Sequence, residues 1–394
     1  MNAIEHVKQL AQQIGPRGSA TAQEKAAADY AANSLEMMGL SPTVETFRTA
    51  RSAWLPAGLF WSLMLAAGFL FVGGTQVGKM LSLPIAVLAL GSIVLELTFR
   101  TNPLRWLLPK GPSQNVWVRI PSSGPLRERA ALVAHLDTHR TPLVFSSDRW
   151  VRWFGRVVPI GFAFALVQIA IIIAGFVRPE IWIRYLVIAP MLPSFGLLAL
   201  MLQADFTPYS PGANDNASGV GVALSMAERL AARPLEHTEV WIVLTGSEEV
   251  GSYGANAFLR RHRADLPGAA WLTVDTVGSR DGAPVFLSQE TFLCPVRSDP
   301  ELLRIARQVA VNHPQWRARE IKTKGAYTDG ALGAKHGLRV LTFGSHTPGG
   351  GLSNWHRPTD TVDRMGEECL LTSEAFVLGV LTQMDTGSVQ QEAH

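Results

Sequence analysis

The apolar positions along the chain change their period several times, and each change marks an element. Residues 3–14 recur with a helical period and predict a short helix, which Pro16 and Gly18 break. A longer helix follows, with Thr21 as its cap, Glu24 at the capping-box position and Gly39 as its stop. Residues 43–47 alternate and predict a strand. The stretches 54–74 and 80–99 are then almost wholly apolar. Each is about 20 residues long, enough to cross a hydrocarbon core of about 30 Å. Globular helices rarely stay apolar on every face for that length. The two stretches, joined through 74–79, predict a transmembrane hairpin.

Residues 115–120 alternate again, and 129–137 predict a buried strand ending in His135-Leu136-Asp137. A second apolar pair follows at 157–177 and 181–202. Pro190 and Pro193 imply kinks in its second member. Arg184 lies near a span end, where it can snorkel, and no span has a charge at its centre, so no ion or proton pathway is indicated. From 205 onward the pattern is that of a soluble α/β chain. Helices are predicted over 217–232, 252–262, 301–313 and 367–384, and strands over 240–244, 270–275, 285–287 and 340–343. Strands alternating with helices point to an α/β fold with a central mixed sheet sandwiched by helices, into which the two hairpins are inserted. The expected organisation is a soluble domain in three pieces, 1–50, 101–150 and 205–386, with hairpins at 54–99 and 157–202 and a tail at 387–394.

Composition agrees with a mixed chain. Of the 394 residues, 47% are hydrophobic and only 17% charged, which is apolar for a soluble enzyme and polar for a pure membrane protein. The net charge of +3 and the lack of basic runs indicate no nucleic-acid partner. Cys294 and Cys369 match no metal or redox spacing and are too few for a disulfide framework, which favours a reducing compartment.

The candidate chemistry gathers at predicted strand ends. Ser247-Glu248-Glu249-Val250-Gly251 puts two adjacent carboxylates at a strand-to-helix turn. Such carboxylates repel unless a cation lies nearby or they do different jobs. His135, Asp215 and Asp275 also sit at strand ends or in the loops after them, where open α/β sheets bind ligands. With Asp137 and His356 they make a constellation suited to metal. His139, His313, His336 and His346 are read as surface or packing histidines. Trp54, Trp150, Trp153 and Trp182 are read as anchors at the membrane interface.

Five elements, in order, carry a family resemblance: Ala134-His135-Leu136-Asp137, the loop Gly212-Ala213-Asn214-Asp215-Asn216-Ala217-Ser218-Gly219, the Glu248-Glu249 turn, Thr273-Val274-Asp275, and the closing segment from His356 to Asp363. Together with Ile14-Gly15-Pro16-Arg17 they resemble the co-catalytic dizinc aminopeptidases. That family includes bacterial leucine-type aminopeptidases, glutamate carboxypeptidase, glutaminyl cyclase and the non-enzymatic transferrin receptor and nicalin. The resemblance covers 4–47 and the chain from 115 to the closing helix, omitting the second hairpin.

The resemblance implies two Zn²⁺ ions, with manganese or cobalt suited to similar ligands. His135, Asp215 and Asp275 would hold one ion. Asp215, as the bridge, Glu249 and His356 would hold the other. Glu248 would be the general base acting on a water shared by the metals, and Asp137 would orient His135. The substrate implied is a peptide with a free N-terminus. Some family members have Tyr before the last His; here the residue is Trp355, and Tyr327 is the alternative candidate for polarising the carbonyl. The same resemblance admits a one-zinc glutaminyl cyclase and a non-catalytic membrane scaffold.

Both hairpins cross twice, so the three soluble pieces share one side. Arg48, Arg51, Arg100, Arg105, Lys110, Arg149, Arg152 and Arg156 flank the spans there, against Lys79, Arg178 and Arg184 at the hairpin turns. The bias predicts a cell inner-membrane protein with four spans and a cytoplasmic catalytic domain.

Overall fold

The computed structural model describes residues 1–291 and 293–390. It divides into two compact units: Met1–Arg51 with Lys110–His139 and the chain from Tyr209 onward, and Ser52–Pro109 with Arg140–Pro208.

The first unit is built on a mixed sheet. Its strands are β1 (Thr43–Ala50), β2 (Lys110–Ile120), β3 (Glu128–His135), β4 (Thr238–Thr245), β5 (Ala270–Val274), β6 (Ala283–Thr291), β7 (Pro295–Arg297), β8 (Arg319–Lys324) and β9 (Arg339–His346). They lie in the order β1-β2-β4-β3-β5-β9-β6-β7, with β8 paired to β6. The four central strands β4, β3, β5 and β9 are mutually parallel. Their C-terminal ends therefore meet along one edge. Leu132, Ile242, Leu272 and Leu341 from these strands are all fully buried, as the continuous apolar runs of a two-sided parallel sheet require.

Helices cover the sheet, and their labels follow chain order. The short α1 (Ala3–Lys8) is capped by Asn2 and continues as a wider-wound turn to Ile14; α2 (Ala22–Met37) follows. The Thr21 hydroxyl caps α2 by accepting from the Glu24 amide. The Glu24 side chain does not complete the expected capping box: it turns inward and accepts from the Ala20 amide instead.

The second unit is helical: α3 (Leu55–Gly73), α4 (Gln76–Leu97), α5 (Asp148–Val177), α6 (Ile181–Leu186) and α7 (Ile188–Asp205). Four segments, with Ile181–Asp205 taken as one, are long and apolar enough to cross a membrane. The first turn is tighter than expected, only Gly74 and Thr75, because Gly74 takes a left-handed φ of 73° and the Thr75 side chain caps α4. The Ile181–Asp205 segment breaks at Val187, three residues before Pro190. α5 begins nine residues before the apolar run, because Ser147 caps it through the Trp150 amide and its first turns are polar. Within this unit the buried Gln168 of α5 donates to the Met64 carbonyl of α3 at 2.6 Å.

The rest of the first unit adds α8 (Ser218–Ala232), α9 (Tyr253–His262), α10 (Pro300–Asn312), α11 (Asp329–Lys335) and α12 (Glu367–Gln390). Three of its elements escape the apolar pattern. β7 is three residues long, β8 is a largely exposed strand in which four of six residues are charged, and α11 is short and contains Gly330 and Gly333. α12 also runs past the expected start of the tail at 387; residues 391–394 of that tail lie outside the described residues.

Candidate metal centre

The sequence-predicted residues converge at the C-terminal edge of the four parallel strands. β3 ends in His135, with Asp137 two residues on. The turn after β4 carries Glu248 and Glu249, and Asp275 follows β5 directly. Asp215 comes from the loop leading into α8, and His356 from the long loop after β9. All seven are buried.

Asp215 lies between the two histidines. Its Oδ1 is 3.3 Å from His135 Nε2 and its Oδ2 is 3.2 Å from His356 Nε2. His135 Nε2 is also 3.7 Å from an Asp275 oxygen, and His356 Nε2 is 3.3 Å from Glu249 Oε2. Two groups of donor atoms thus form, each compact within 4.8 Å: His135, Asp215 and Asp275, and His139, Glu249 and His356. His139 is the addition. Expected to be a surface or packing histidine, it is buried and its ring stacks on His356 with centroids 3.8 Å apart. Its sequence signal was its place, four residues beyond His135 at the same strand end.

Asp137 ties these pieces together. Its backbone carbonyl meets His135 Nδ1 at 3.1 Å. Its two carboxylate oxygens accept from the amides of Glu248 and Glu249 at 2.9 and 3.2 Å, and Ser19 Oγ adds a third hydrogen bond. The Asp215 loop is held likewise. Asp360 accepts from the Asn214 and Asp215 amides. Asn216 accepts from the Gly219 and Thr276 amides and donates to the Val274 carbonyl. The buried Arg17 donates to the carbonyls of Leu10, Gly15, Leu136, Pro211 and Gly212, fastening the N-terminal segment to the end of β3 and to this loop.

Backbone strain concentrates here. Ser247, Ser252, Thr276, Asn354 and His356 all have φ between 49° and 57°, a region that costs ordinary residues about 1–3 kcal/mol each. Part of what holds Ser247 there is Glu24, which accepts from both its amide and its hydroxyl. Nothing in the sequence ties Glu24, 223 positions away, to that turn. Asp329 is a second residue the sequence does not single out: it is buried and accepts from Thr245 Oγ1 at the end of β4.

The charges are strongly perturbed. Burial opposes charging of both histidines, but the carboxylates around them prevail. His135 is raised well above its ordinary value by Asp137, Asp215 and Asp275, and His356 rises to about 9 beside Glu249 and Asp215. Burial would raise Asp215 too, yet the two histidines pull it down. Burial raises Asp275, lifts Glu249 to about 7 and lifts Glu248 well above its usual range. A buried cluster this rich in carboxylates calls for cations. Glu249 Oε1 is buried with no hydrogen-bond donor among the described residues, a lone pair left for such a cation. Imidazole nitrogens and carboxylate oxygens are ordinary zinc ligands. The residues present therefore fit a zinc site.

Comparisons with known proteins point the same way. Residues 198–380 match the profile of peptidase family M28, a segment that holds Asp215, Glu248, Glu249, Asp275 and His356. A 55-residue segment is 42% identical to Aminopeptidase YwaD of Bacillus subtilis, and it covers 14% of this chain and 12% of that relative's length. Among solved structures, BSAP, a zinc aminopeptidase from Bacillus subtilis, superposes with a TM-score of 0.57 at 14% identity, over 97% of this chain and 94% of that one. Glutaminyl cyclase of Bacteroides thetaiotaomicron, bound to N-acetylhistamine, gives the same TM-score at 16% identity, over 97% and 96%. Those two likenesses show the fold. The family profile matches where the motifs stand, so residues 198–380 are similar to peptidase family M28.

Proposed function

We propose that the protein is a membrane-anchored, zinc-dependent exopeptidase, an aminopeptidase that removes N-terminal residues from peptides. The observation that carries this reading is Asp215, whose two oxygens face two different histidines, as a carboxylate shared by two metals would. His135, Asp215 and Asp275 would hold one zinc, and Asp215, Glu249 and His356 the other, with His139 a further donor within reach of Glu249 and His356. Bound there, the ions would supply Lewis-acid polarisation of the scissile carbonyl and lower the pKa of water.

The chain's own residues divide the remaining work. Asp137 orients His135 and, through the amides of Glu248 and Glu249, sets the direction of both glutamates. Glu248 belongs to neither donor group, and Ser252 Oγ donates to it at 3.3 Å. It acts as the general base, taking a proton from the attacking water and passing it to the leaving amine. The two adjacent glutamates thus have different jobs. The four long apolar helices anchor the chain in the bilayer, and the charge bias around them favours a cytoplasmic catalytic unit.

Metal content and hydrolysis of a panel of aminoacyl anilides, compared between the native chain and Glu248→Gln, test this. About two zincs in both proteins, with activity lowered about 10²–10⁴-fold in the variant, is the expected result. Full metal with no aminoacyl hydrolysis would overturn the aminopeptidase reading.

A glutaminyl cyclase is the second reading. It is favoured by Trp355, which stands where some hydrolytic relatives have Tyr and whose ring lies 4.1 Å from that of His356. One zinc per chain, with cyclisation of an N-terminal glutamine, would establish it. A chain that binds no metal would instead be a scaffold.

A further inference from the structure

α5 is longer than a bilayer requires. Its 30 residues extend about 45 Å at 1.5 Å each, against a hydrocarbon core of about 30 Å. The surplus lies at its N-terminal end, because Asp148, Arg149, Arg152 and Arg156 are its only charged residues and 157–177 has none. The arginines are spaced three and four apart, which puts them on one helical face. All three are exposed, and Trp153, 39% exposed, stands among them. The same face continues into Ile160 at 53%, Phe164 at 37% and Val167 at 48% exposure.

These arginines differ from others in the same unit. Arg105 is buried against Glu96, and Arg140 pairs with Asp205. Arg149, Arg152 and Arg156 make no ion pair or hydrogen bond among the described residues. Three guanidinium groups are thus stacked where a spanning helix leaves the hydrocarbon, with an indole beside them and an apolar stripe below. Guanidinium matches phosphate geometry with paired N–H donors, and Trp favours the headgroup level. A soluble acidic partner would satisfy the charges but not the apolar continuation of the face.

We propose that this face of α5 binds anionic phospholipids of the adjoining leaflet. The headgroup phosphate is held by Arg149, Arg152 and Arg156, and the acyl chains lie along Ile160, Phe164 and Val167. The proposal rests on the membrane-spanning reading above.

The test uses the full chain in phosphatidylcholine vesicles with spin-labelled phosphatidylglycerol or spin-labelled phosphatidylcholine as the probe. The motionally restricted fraction of each gives their relative association. Phosphatidylglycerol should be preferred by about threefold or more, and R149Q/R152Q/R156Q should bring the ratio to about one. The corresponding triple Lys variant retains the charge but loses the paired donors, so its ratio should fall between those of the native chain and the Gln variant. No preference in the native chain, or one that survives in the Gln variant, overturns the lipid site. Alkaline carbonate extraction separates the two readings. A chain stripped from the membrane defeats the anchoring and the lipid site together. A chain that stays but shows no preference defeats the lipid site alone.

Discussion

Glu290 is a buried carboxylate that belongs to neither donor group. It lies on β6 and accepts from the amide of Thr328 at 2.9 Å and from its hydroxyl. Burial raises its pKa to about 8, against the lowering effect of those hydrogen bonds. In the unfolded chain the group ionises near its usual value of about 4.3, so its contribution to stability is fully present below that pH and is lost as pH rises toward 8. Glu290→Gln has no proton to lose. Its thermal midpoint should therefore gain on the native midpoint as pH is raised from about 5 to about 9. A constant difference across that range would mean that Glu290 is ionised in the fold. The residues that the fold brings together at the strand ends were legible in the sequence as a candidate site because each stands in a short motif: His135 with Asp137, Asp215 in its Asn-rich loop, and Glu248 with Glu249. Glu24, Ser19 and Asp329 were not legible as parts of the site, and His139 offered only its place after His135. A buried carboxylate and its amide donors can be 223 positions apart, and no local pattern encodes that pairing.

Among the elements, the β4–α9 junction shows how a turn is held to the geometry a site needs. The Asn115 side chain of β2 spans it, accepting from the Gly246 amide and donating to the Gly254 carbonyl. α9 approaches the turn so closely that a Cβ on Gly254 would lie 2.2 Å from the Gly246 carbonyl oxygen. Real contacts cannot be that short, so Gly254→Ala must push α9 away from the turn carrying Glu248 and Glu249. Core overpacking of this kind costs about 1–3 kcal/mol. The variant should lose that stability in denaturant titrations and bind zinc more weakly; unchanged zinc affinity would mean that the turn is held without α9. The sequence could place β4 and α9 on either side of the acidic turn. The closeness of their approach depends on Asn115, which comes from a strand more than 100 positions earlier.

At the scale of the whole molecule, the order of segments along the chain constrains topology without reference to packing. With each hairpin crossing twice, as proposed, 1–50, 101–150 and the chain beyond 205 would return to one side of a bilayer. If that side is the cytoplasm, Thr75→Cys, in the short turn between α3 and α4, should react with a membrane-impermeant maleimide in intact cells. The exposed native Cys294 of the first unit should react only after lysis. The reverse pattern would invert the orientation, and labelling of both before lysis would refute a shared side for the soluble pieces. By itself the sequence determined the four long apolar segments, the α/β class and the motif residues. Each of these is a local property: the length of an apolar run, the period of a strand, or the spacing within a loop. Tertiary structure alone decided that Asp215 lies between two histidines, that His139 stacks on His356, and that Glu24 and Asp329 lie buried behind the strand ends. Those facts depend on which strands become neighbours. The parallel pairing of β4, β3, β5 and β9 brings residues from 135 to 356 to one edge, because each central strand ends there.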